Sequence, residues 1–465
     1  MKPNTTGATR TVTAVSRDVC VVGAGYVGLT AAACLSHLGH RVHCVESDPD
    51  RLATLVAGGI PIHEPGLDEL VVAGRAAGRL DFHAEAGPAL AGAQIALLCV
   101  GTPPQPSGEP DLGFLAAAAR QVARAANGDL VVVVKSTVPP GSCEALELIC
   151  AEEAAPGILI RVASSPEFLR ESRAVADFLA PDRVVVGTDH VDVSDLVASL
   201  YPPGSAVVRC DRRGAELVKY AANTFLAIKI SFANEVAALC EALGTDATTV
   251  LAGVGLDSRI GTAFLRPGPG YGGSCLPKDV DGFRSVGDAL SAETRLADAA
   301  VAQNADARQA VVSKLEVVLS GVRGKRVAVL GLAFKGGTDD TRDSPGRHIA
   351  RQLVTGGAEV HCYDPLAWPD DTCGTRERTL AEAVVDADAV VVTTLAEELS
   401  SIEPGELASK MRGRIVFDAA GALDITSCTA AGLTLYGVGR GAPTEFHAIV
   451  WSPLRWAHPV GAPAS

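Results

Sequence analysis

The ten residues Gly270-Tyr271-Gly272-Gly273-Ser274-Cys275-Leu276-Pro277-Lys278-Asp279 put a nucleophile, a cation and a carboxylate within one turn of chain. Three glycines let this backbone approach another surface closely. Pro277 suits the first turn of a helix, because the N–H it lacks would have no intrahelical partner there. A helix starting at that point leaves the Cys275 thiol at its N-terminus, in positive potential that favours the thiolate. That is the chemistry of covalent catalysis, and Asp279 adds a possible base. The same residue types also fit a Gly-rich turn with a buried, inert cysteine. A cofactor site elsewhere in the chain decides between the two.

Lys219 and Asn223 are four apart, so they share one face of the helical segment from about Gly214 to Leu243. Their neighbours Ala221, Ala222, Leu226, Ile228, Ile230 and Phe232 are mostly apolar. The pair is either a donor site for a developing oxyanion or a polar patch on a solvated face. A helix of about 30 residues spans ~45 Å, more than one domain needs. It is expected to be a connecting spine and a dimer interface.

The elements that would position these groups are those of a dinucleotide-binding protein. Val19–Val22 reads as a buried strand and runs into Gly23-Ala24-Gly25-Tyr26-Val27-Gly28. A helix over Leu29–Leu38 and a second strand ending at Glu46 follow. This is the strand, G-x-G-x-x-G, helix, strand, acid order in which a helix N-terminus faces the pyrophosphate. Glu46 would hold the ribose 2′-hydroxyl and repel a 2′-phosphate, which favours NAD over NADP; Arg51 partly offsets that repulsion.

Strands at Ile95–Val100 and Leu130–Lys135 run into turns holding Thr102 and Thr137, at the edge where open α/β sheets bind ligands, although ordinary turn chemistry explains both. The charged runs Glu167–Glu171 and Pro181–Arg183 are either substrate contacts or surface charge. A helical segment over Ala297–Leu319 precedes a second βαβ set: a strand at Lys325–Leu330, a helix to about Thr355 that leads to the run Gly357–Pro365, and strands at Ala387–Thr394 and Arg414–Asp418. Its first loop lacks G-x-G-x-x-G but carries Lys335 and Arg342, which suits a nucleoside diphosphate held by side-chain cations.

The expected fold is therefore α/β, two Rossmann-like doubly wound domains joined by a long central helix and a helical core. The expected boundaries are a disordered extension at 1–17, a first domain at 18–212, a central domain at 213–319 and a last domain at 320–465. The tail from Gly441 has no clear pattern. The net charge of −14 argues against nucleic-acid and anionic-membrane partners. Twelve cysteines without a C-x-x-C pair point to a reduced cytoplasmic chain with no metal site. No apolar run approaches a membrane span.

With these residues in view, the chain resembles the UDP-glucose 6-dehydrogenase group of the nucleotide-sugar dehydrogenases from about Asp18 to about Arg440. The motifs carrying the resemblance are Gly23–Leu29, Glu64-Pro65-Gly66-Leu67, Ser136–Pro139, Pro166–Glu171, Lys219 with Asn223, Gly272–Asp279, Phe334-Lys335 and Asp340-Thr341-Arg342. The resemblance implies a four-electron oxidation of the C6 hydroxyl of UDP-glucose to a carboxylate by NAD. It makes Cys275 the covalent nucleophile, through a thiohemiacetal and a thioester. Lys219 and Asn223 would stabilise the C6 oxygen, Asp279 with Thr137 and a water would move protons, and Glu167 would assist thioester hydrolysis. Substrate contacts would also come from Phe168, Leu169, Arg170, Tyr271, Gly272, Phe334, Lys335 and Arg259, the last reaching into a partner subunit. Glu171, Lys278 and Arg342 would lie near the cofactor, with Gly23, Gly25, Tyr26, Val27, Gly28, Glu46, Arg51, Thr102 and Thr137.

Two positions depart from the family pattern. Ser165 stands where an asparagine is usual, and Asp418-Ala419-Ala420-Gly421 puts Ala420 where a substrate-binding arginine is usual. Arg347 and Arg440 are candidates to replace that cation. GDP-mannose and UDP-N-acetylhexosamine are alternative substrates. A non-catalytic nucleotide-binding oligomer and a two-electron hydroxy-acid dehydrogenase are alternative functions.

Overall fold

The computed structural model describes residues 16–440. The expected N-terminal extension, apart from Ser16 and Arg17, and the tail from Gly441 lie outside the described residues. The chain divides into two compact units, one of residues up to Phe225 with Cys275–Ala297, the other of Leu226–Ser274 with the residues from Asp298 on. The division falls inside the 32-residue helix Arg212–Leu243.

The first unit is built on β1 (Asp18–Val22), β2 (Arg41–Val45), β3 (Leu80–His83), β4 (Ile95–Leu98), β5 (Leu130–Val134), β6 (Ile160–Ser164), β7 (Val184–Gly187) and β8 (Val207–Cys210). Their order is β3-β2-β1-β4-β5-β6-β7-β8. Neighbours run parallel except β6 and β7, which meet antiparallel at Ser164 opposite Gly187. β1 is apolar throughout because both its faces are covered. Val19 and Val21 pack with Leu29 and Leu35 of the helix Tyr26–His37, and Cys20 and Val22 pack with Leu115 and Val122 of the helix Gly113–Ala125.

The strand order reverses between β1 and β4, which opens a crevice at their carboxyl ends. The first helix enters it at very close range. A methyl group on Gly28 would stand 1.8 Å from the Gly23 carbonyl oxygen. Gly28→Ala therefore forces the helix off the strand. We expect a loss of about 1–3 kcal/mol of stability from overpacking and a loss of NAD affinity of at least roughly tenfold. Thermal melts and NAD titration check both.

The second unit carries β9 (Arg326–Leu330), β10 (Glu359–Tyr363), β11 (Thr375–Arg376), β12 (Ala389–Val392), β13 (Ile415–Asp418) and β14 (Thr434–Gly437), in the order β11-β10-β9-β12-β13-β14. Every pair is parallel. Here the reversal lies between β9 and β12. The missing fingerprint turns out to be split. A methyl on Gly346 would stand 2.3 Å from the Gly331 carbonyl oxygen, so Gly331 and Gly346 repeat the close approach of Gly23 and Gly28 with the loop 332–344 inserted between them. That spacing conceals the repeat from a motif search. The helix Pro345–Thr355 begins with the Ser344 side chain accepting from the Arg347 N–H.

The buried stripe of the helix Arg212–Leu243 follows its period: Glu216, Lys219, Tyr220, Asn223, Thr224, Ala227, Ser231, Asn234, Ala237 and Cys240. Four of the first five are polar, and polar groups are buried at a cost that hydrogen bonds or function must offset. Among the described residues no helix is long and apolar enough to cross a membrane.

Candidate active site

Cys275 occupies the N-cap position of the helix Leu276–Ala289, with Pro277 in the first turn. The Asp279 N–H donates to the Cys275 carbonyl at 2.9 Å, closing the first turn. Of the twelve cysteines, ten are buried, Cys210 is half-buried, and Cys275 alone is exposed. Burial pushes the thiols of Cys20 and Cys99 up to about 12, which keeps them inert. The reading of Cys275 as a buried structural residue therefore fails on its exposure.

Four side chains expected to work with the thiol, Lys219, Asn223, Asp279 and Glu167, are buried and paired. Asp279 is 1% exposed. It accepts from Asn223 Nδ2 at 2.6 Å and from Lys278 Nζ at 2.5 Å. Lys219 Nζ lies 2.9 Å from Glu167 Oε1, with both side chains buried. Burial acts to lower the lysine's pKa, but the carboxylates of Glu167 and Asp279 outweigh it, with Cys275 adding to them, and Lys219 is held above its usual value. Burial likewise acts to raise Glu167, and Lys219 outweighs it, so the carboxyl is held below its usual range. Both directions describe an ion pair, so Lys219 is a cation and hydrogen-bond donor at neutral pH.

A second buried cation escaped the sequence reading. Lys135, at the end of β5, is 4% exposed and donates to the Tyr201 hydroxyl at 2.8 Å and to the Pro166 carbonyl at 3.4 Å. Its charge is another reason Glu167 stays ionised. A buried lysine directly after a run of valines has no spacing signal; only the strand's carboxyl-end position marks it. The Pro166–Arg170 segment borders a cavity of about 290 Å³ that also takes in Lys135 and Arg183. Phe168 carries the Arg183 guanidinium 3.7 Å from its ring centre, and Lys219 Nζ lies 5.5 Å away. Leu169 packs on the core, and its N–H donates to Glu167 Oε2 at 2.6 Å. Arg170 is committed to Asp177, 2.5 Å from Nη2 to Oδ1.

The dinucleotide residues gather at the carboxyl ends of β1 and β2. Glu46 Oε2 accepts from the Ala24 N–H at 3.1 Å, and Oε1 accepts from the Asp48 N–H at 2.8 Å. Arg51 Nη1 is 3.4 Å from the same carboxylate. A methyl on Gly25 would meet nothing within 4 Å, which leaves room for phosphates against the loop. These residues fit a dinucleotide, with carboxylate lone pairs to spare for a ribose hydroxyl. Glu46→Gln keeps the size and removes the charge. We expect discrimination against NADP to fall by roughly tenfold, as kcat/KM for the two cofactors will show.

Tyr26 is used structurally: its hydroxyl bonds Glu64, and it accepts from the Ser172 N–H at 3.0 Å. Burial and that carboxylate together raise its pKa. Glu64 Oε1 in turn accepts from the Ala174 N–H at 2.7 Å, fixing the chain after Glu171. The Thr102 hydroxyl donates to the Thr137 carbonyl at 2.9 Å, tying the turns after β4 and β5 together.

The second unit holds the other expected substrate residues. Tyr271 is clamped by the helix Arg295–Val318: its N–H donates to Asn304 Oδ1 at 2.7 Å, and its carbonyl accepts from Asn304 at 3.1 Å and Arg308 at 2.5 Å. Methyl groups on Gly272 and Gly273 would stand 2.2 Å from the Asp343 carbonyl oxygen and 2.7 Å from the Phe334 ring. That contact is why the stretch is glycine-rich. Lys335 Nζ is 5.6 Å from the Phe334 ring centre. Arg342 lies in this unit, away in sequence from the other cofactor candidates, and bonds Asp340 at 2.7 Å. Arg259 is exposed and bonds Asp257 at 2.6 Å. Neither candidate replacement for the missing arginine is idle: Arg347 pairs with Asp370 and Thr341, and Arg440 donates to the Leu423 carbonyl.

Three family models cover most of the chain. They are the NAD binding domain of the UDP-glucose/GDP-mannose dehydrogenase family over residues 17–204, its central domain over 213–306 and its UDP binding domain over 328–425. The UDP-glucose 6-dehydrogenase of Rhizobium meliloti is 40% identical over 415 residues, 86% of this chain and 94% of that protein. A UDP-glucose dehydrogenase structure from Pyrobaculum islandicum superposes with a TM-score of 0.86 at 37% identity, covering 94% of this chain and 100% of that one. A ternary complex of GDP-mannose dehydrogenase from Pseudomonas aeruginosa gives a TM-score of 0.51 at 29% identity, covering 90% and 99%. Fold, site and relatives agree: the chain belongs to the UDP-glucose/GDP-mannose dehydrogenase family.

Proposed function

We propose that this protein oxidises the C6 hydroxyl of UDP-glucose to the carboxylate of UDP-glucuronate, using NAD as cofactor. The observation that carries the reading is the exposed Cys275 at a helix N-terminus, beside the buried donors Lys219 and Asn223. On this reading residues 18–212 hold NAD, 213–319 carry the thiol, and the residues from 320 on hold the UDP moiety. Bound NAD accepts one hydride in each two-electron step.

The chain's own residues do the rest. The C6 hydroxyl proton leaves towards Asp279, directly or through a water held at Thr137, while Lys219 and Asn223 donate to the oxygen as it gains charge. The Cys275 thiolate then adds to the aldehyde carbon; the S–C bond forms and the former carbonyl oxygen takes a proton. Loss of the second hydride, and of that proton, leaves a thioester. Water adds to it, the S–C bond breaks, and the electron pair returns to sulfur. Glu167, kept anionic by Lys219 and Lys135, is placed in charge state to accept the water's proton. A homodimer through the long helix is part of the proposal. Phe225, Phe232 and Leu239 are exposed at intervals of seven, with Leu217 and Leu243 on the same helix. Arg259 is the exposed cation such a dimer would offer to its partner.

Turnover with a panel of UDP-glucose, GDP-mannose and UDP-N-acetylhexosamines tests the substrate. We expect UDP-glucose to give the highest kcat/KM. GDP-mannose oxidised with UDP-glucose inert would reject the reading.

A further inference from the structure

β3 is the edge strand of the first sheet, only four residues long and paired on one side alone, with β2. The register sets His43 of β2 opposite Asp81 of β3. Asp81 and His83 are two apart on one strand, so they share a face. The three side chains therefore meet on one face of the β2–β3 pair. His43 Nδ1 lies 2.7 Å from Asp81 Oδ1, and His83 Nε2 lies 2.9 Å from the same oxygen. The two rings are 5.6 Å apart between centres and inclined at 51°. All three ligand atoms lie within 4.8 Å of one another.

Two imidazoles and one carboxylate are a donor set for a borderline divalent ion such as Zn²⁺. In a tetrahedral zinc site, bonds of ~2.0–2.1 Å put neighbouring ligand atoms ~3.3 Å apart, so the cluster has to open by about half an ångström. The side chains have room for it: Asp81 is exposed and both histidines are half-buried. The charge suits a cation as well. Among the described residues Asp81 pairs with no lysine or arginine; its ion-pair partners are the two histidines. Hard ions such as Mg²⁺ and Ca²⁺ take oxygen ligands, and this cluster offers a single carboxylate. A hydrogen-bonded trio gives the same distances without an ion, since both ring nitrogens can donate to one oxygen. The two arrangements differ in what happens when zinc is offered.

We propose that His43, Asp81 and His83 bind a divalent transition-metal ion of the zinc type, with water completing its shell. The ion clips the edge strand β3 to β2 next to the cofactor acid, whose N–H, that of Glu46, donates to the His83 carbonyl at 2.9 Å. No step of the oxidation runs through it, and the proposal does not depend on which nucleotide sugar is oxidised. The sequence expectation of no metal site came from the cysteines, and none of them takes part.

The test titrates Zn²⁺ into the EDTA-stripped full-length protein by calorimetry, with Mg²⁺ as the control ion, and follows the melting temperature with and without Zn²⁺. The exposed Cys275 thiol is a competing zinc ligand, so every variant is made in both the wild-type and the Cys275→Ser background. We expect one zinc site that persists in Cys275→Ser and takes no Mg²⁺. Asp81→Asn, which keeps the side chain's shape, should weaken it by roughly tenfold or more, and His43→Asn with His83→Asn should abolish it. In Cys275→Ser, Zn²⁺ at roughly 100 times its Kd should raise the melting temperature by about 2 °C or more. The double histidine variant in that background should not respond. No zinc site in Cys275→Ser, or a site that survives these substitutions at full strength, overturns the proposal and leaves the trio a hydrogen-bonded one.

Discussion

Cys275→Ser is expected to lower steady-state NADH formation from UDP-glucose by about 10³–10⁵-fold while leaving UDP and NAD affinities within a few-fold of wild type. The hydroxyl fits the space of the thiol, so the fold is not at risk: Cys275 is exposed and lies at a helix start instead of in a core. What changes is the nucleophile. A serine hydroxyl stays protonated where a thiol at a helix N-terminus ionises, so addition to the aldehyde carbon slows. The first hydride transfer needs no sulfur. A pre-steady-state measurement should therefore show a small burst of NADH in the variant, followed by near arrest. A variant that turns over at the wild-type rate would make Cys275 a bystander and return the two-electron hydroxy-acid dehydrogenase to consideration.

Lys219→Met should act on both stability and rate. The lysine is 3% exposed, and its partner Glu167 is 9% exposed. Removing it leaves a buried carboxylate without its main compensating charge, a change that costs about 3–5 kcal/mol in comparable pairs. The rate should fall by about 10²–10³-fold from the lost oxyanion donor. The two effects separate in the double variant Lys219→Met with Glu167→Gln. We expect it to regain much of the melting temperature, because no buried charge remains, while turnover stays lost. Recovery of turnover with stability would mean that Lys219 serves the fold alone.

The same pair fixes a pH expectation. Glu167 is depressed in the folded protein, so its contribution to stability is present above the ordinary carboxylate range and is lost as pH falls through the depressed value. Lys219 is raised, so its contribution is complete below the ordinary lysine value and is lost as pH rises through the raised one. Between about pH 5 and 9 neither group changes charge. Limbs of the pH–rate profile in that window should survive Glu167→Gln unshifted.

Much of this is legible in the amino-acid sequence. The first crevice was readable because strand, glycine loop, helix and acid are contiguous over Val19–Glu46. The Cys275 stretch was readable because its glycines, proline and thiol are adjacent. What stayed hidden was discontinuous. The repeat of the crevice in the second unit is split between Gly331 and Gly346, and no window of sequence contains both as a motif. β3, β6 and β8 do not stand out in the sequence, since β6 mixes Arg161 and Ser164 into its run and β3 and β8 are only half-buried. Lys135 sits in a segment whose pattern speaks of something else, a strand. Its partners, Pro166 and Tyr201, are 31 and 66 residues distant. Arg170 was expected on substrate for its charge, yet the structure spends it on Asp177.

The most direct test of the covalent four-electron account is the ratio of NADH formed to UDP-glucose consumed by the wild-type protein run to completion. Two NADH per sugar, with UDP-glucuronate as the product, is the predicted result. One NADH per sugar, with an aldehyde released, would contradict the account, because it would leave the Cys275 thiol with no step to perform.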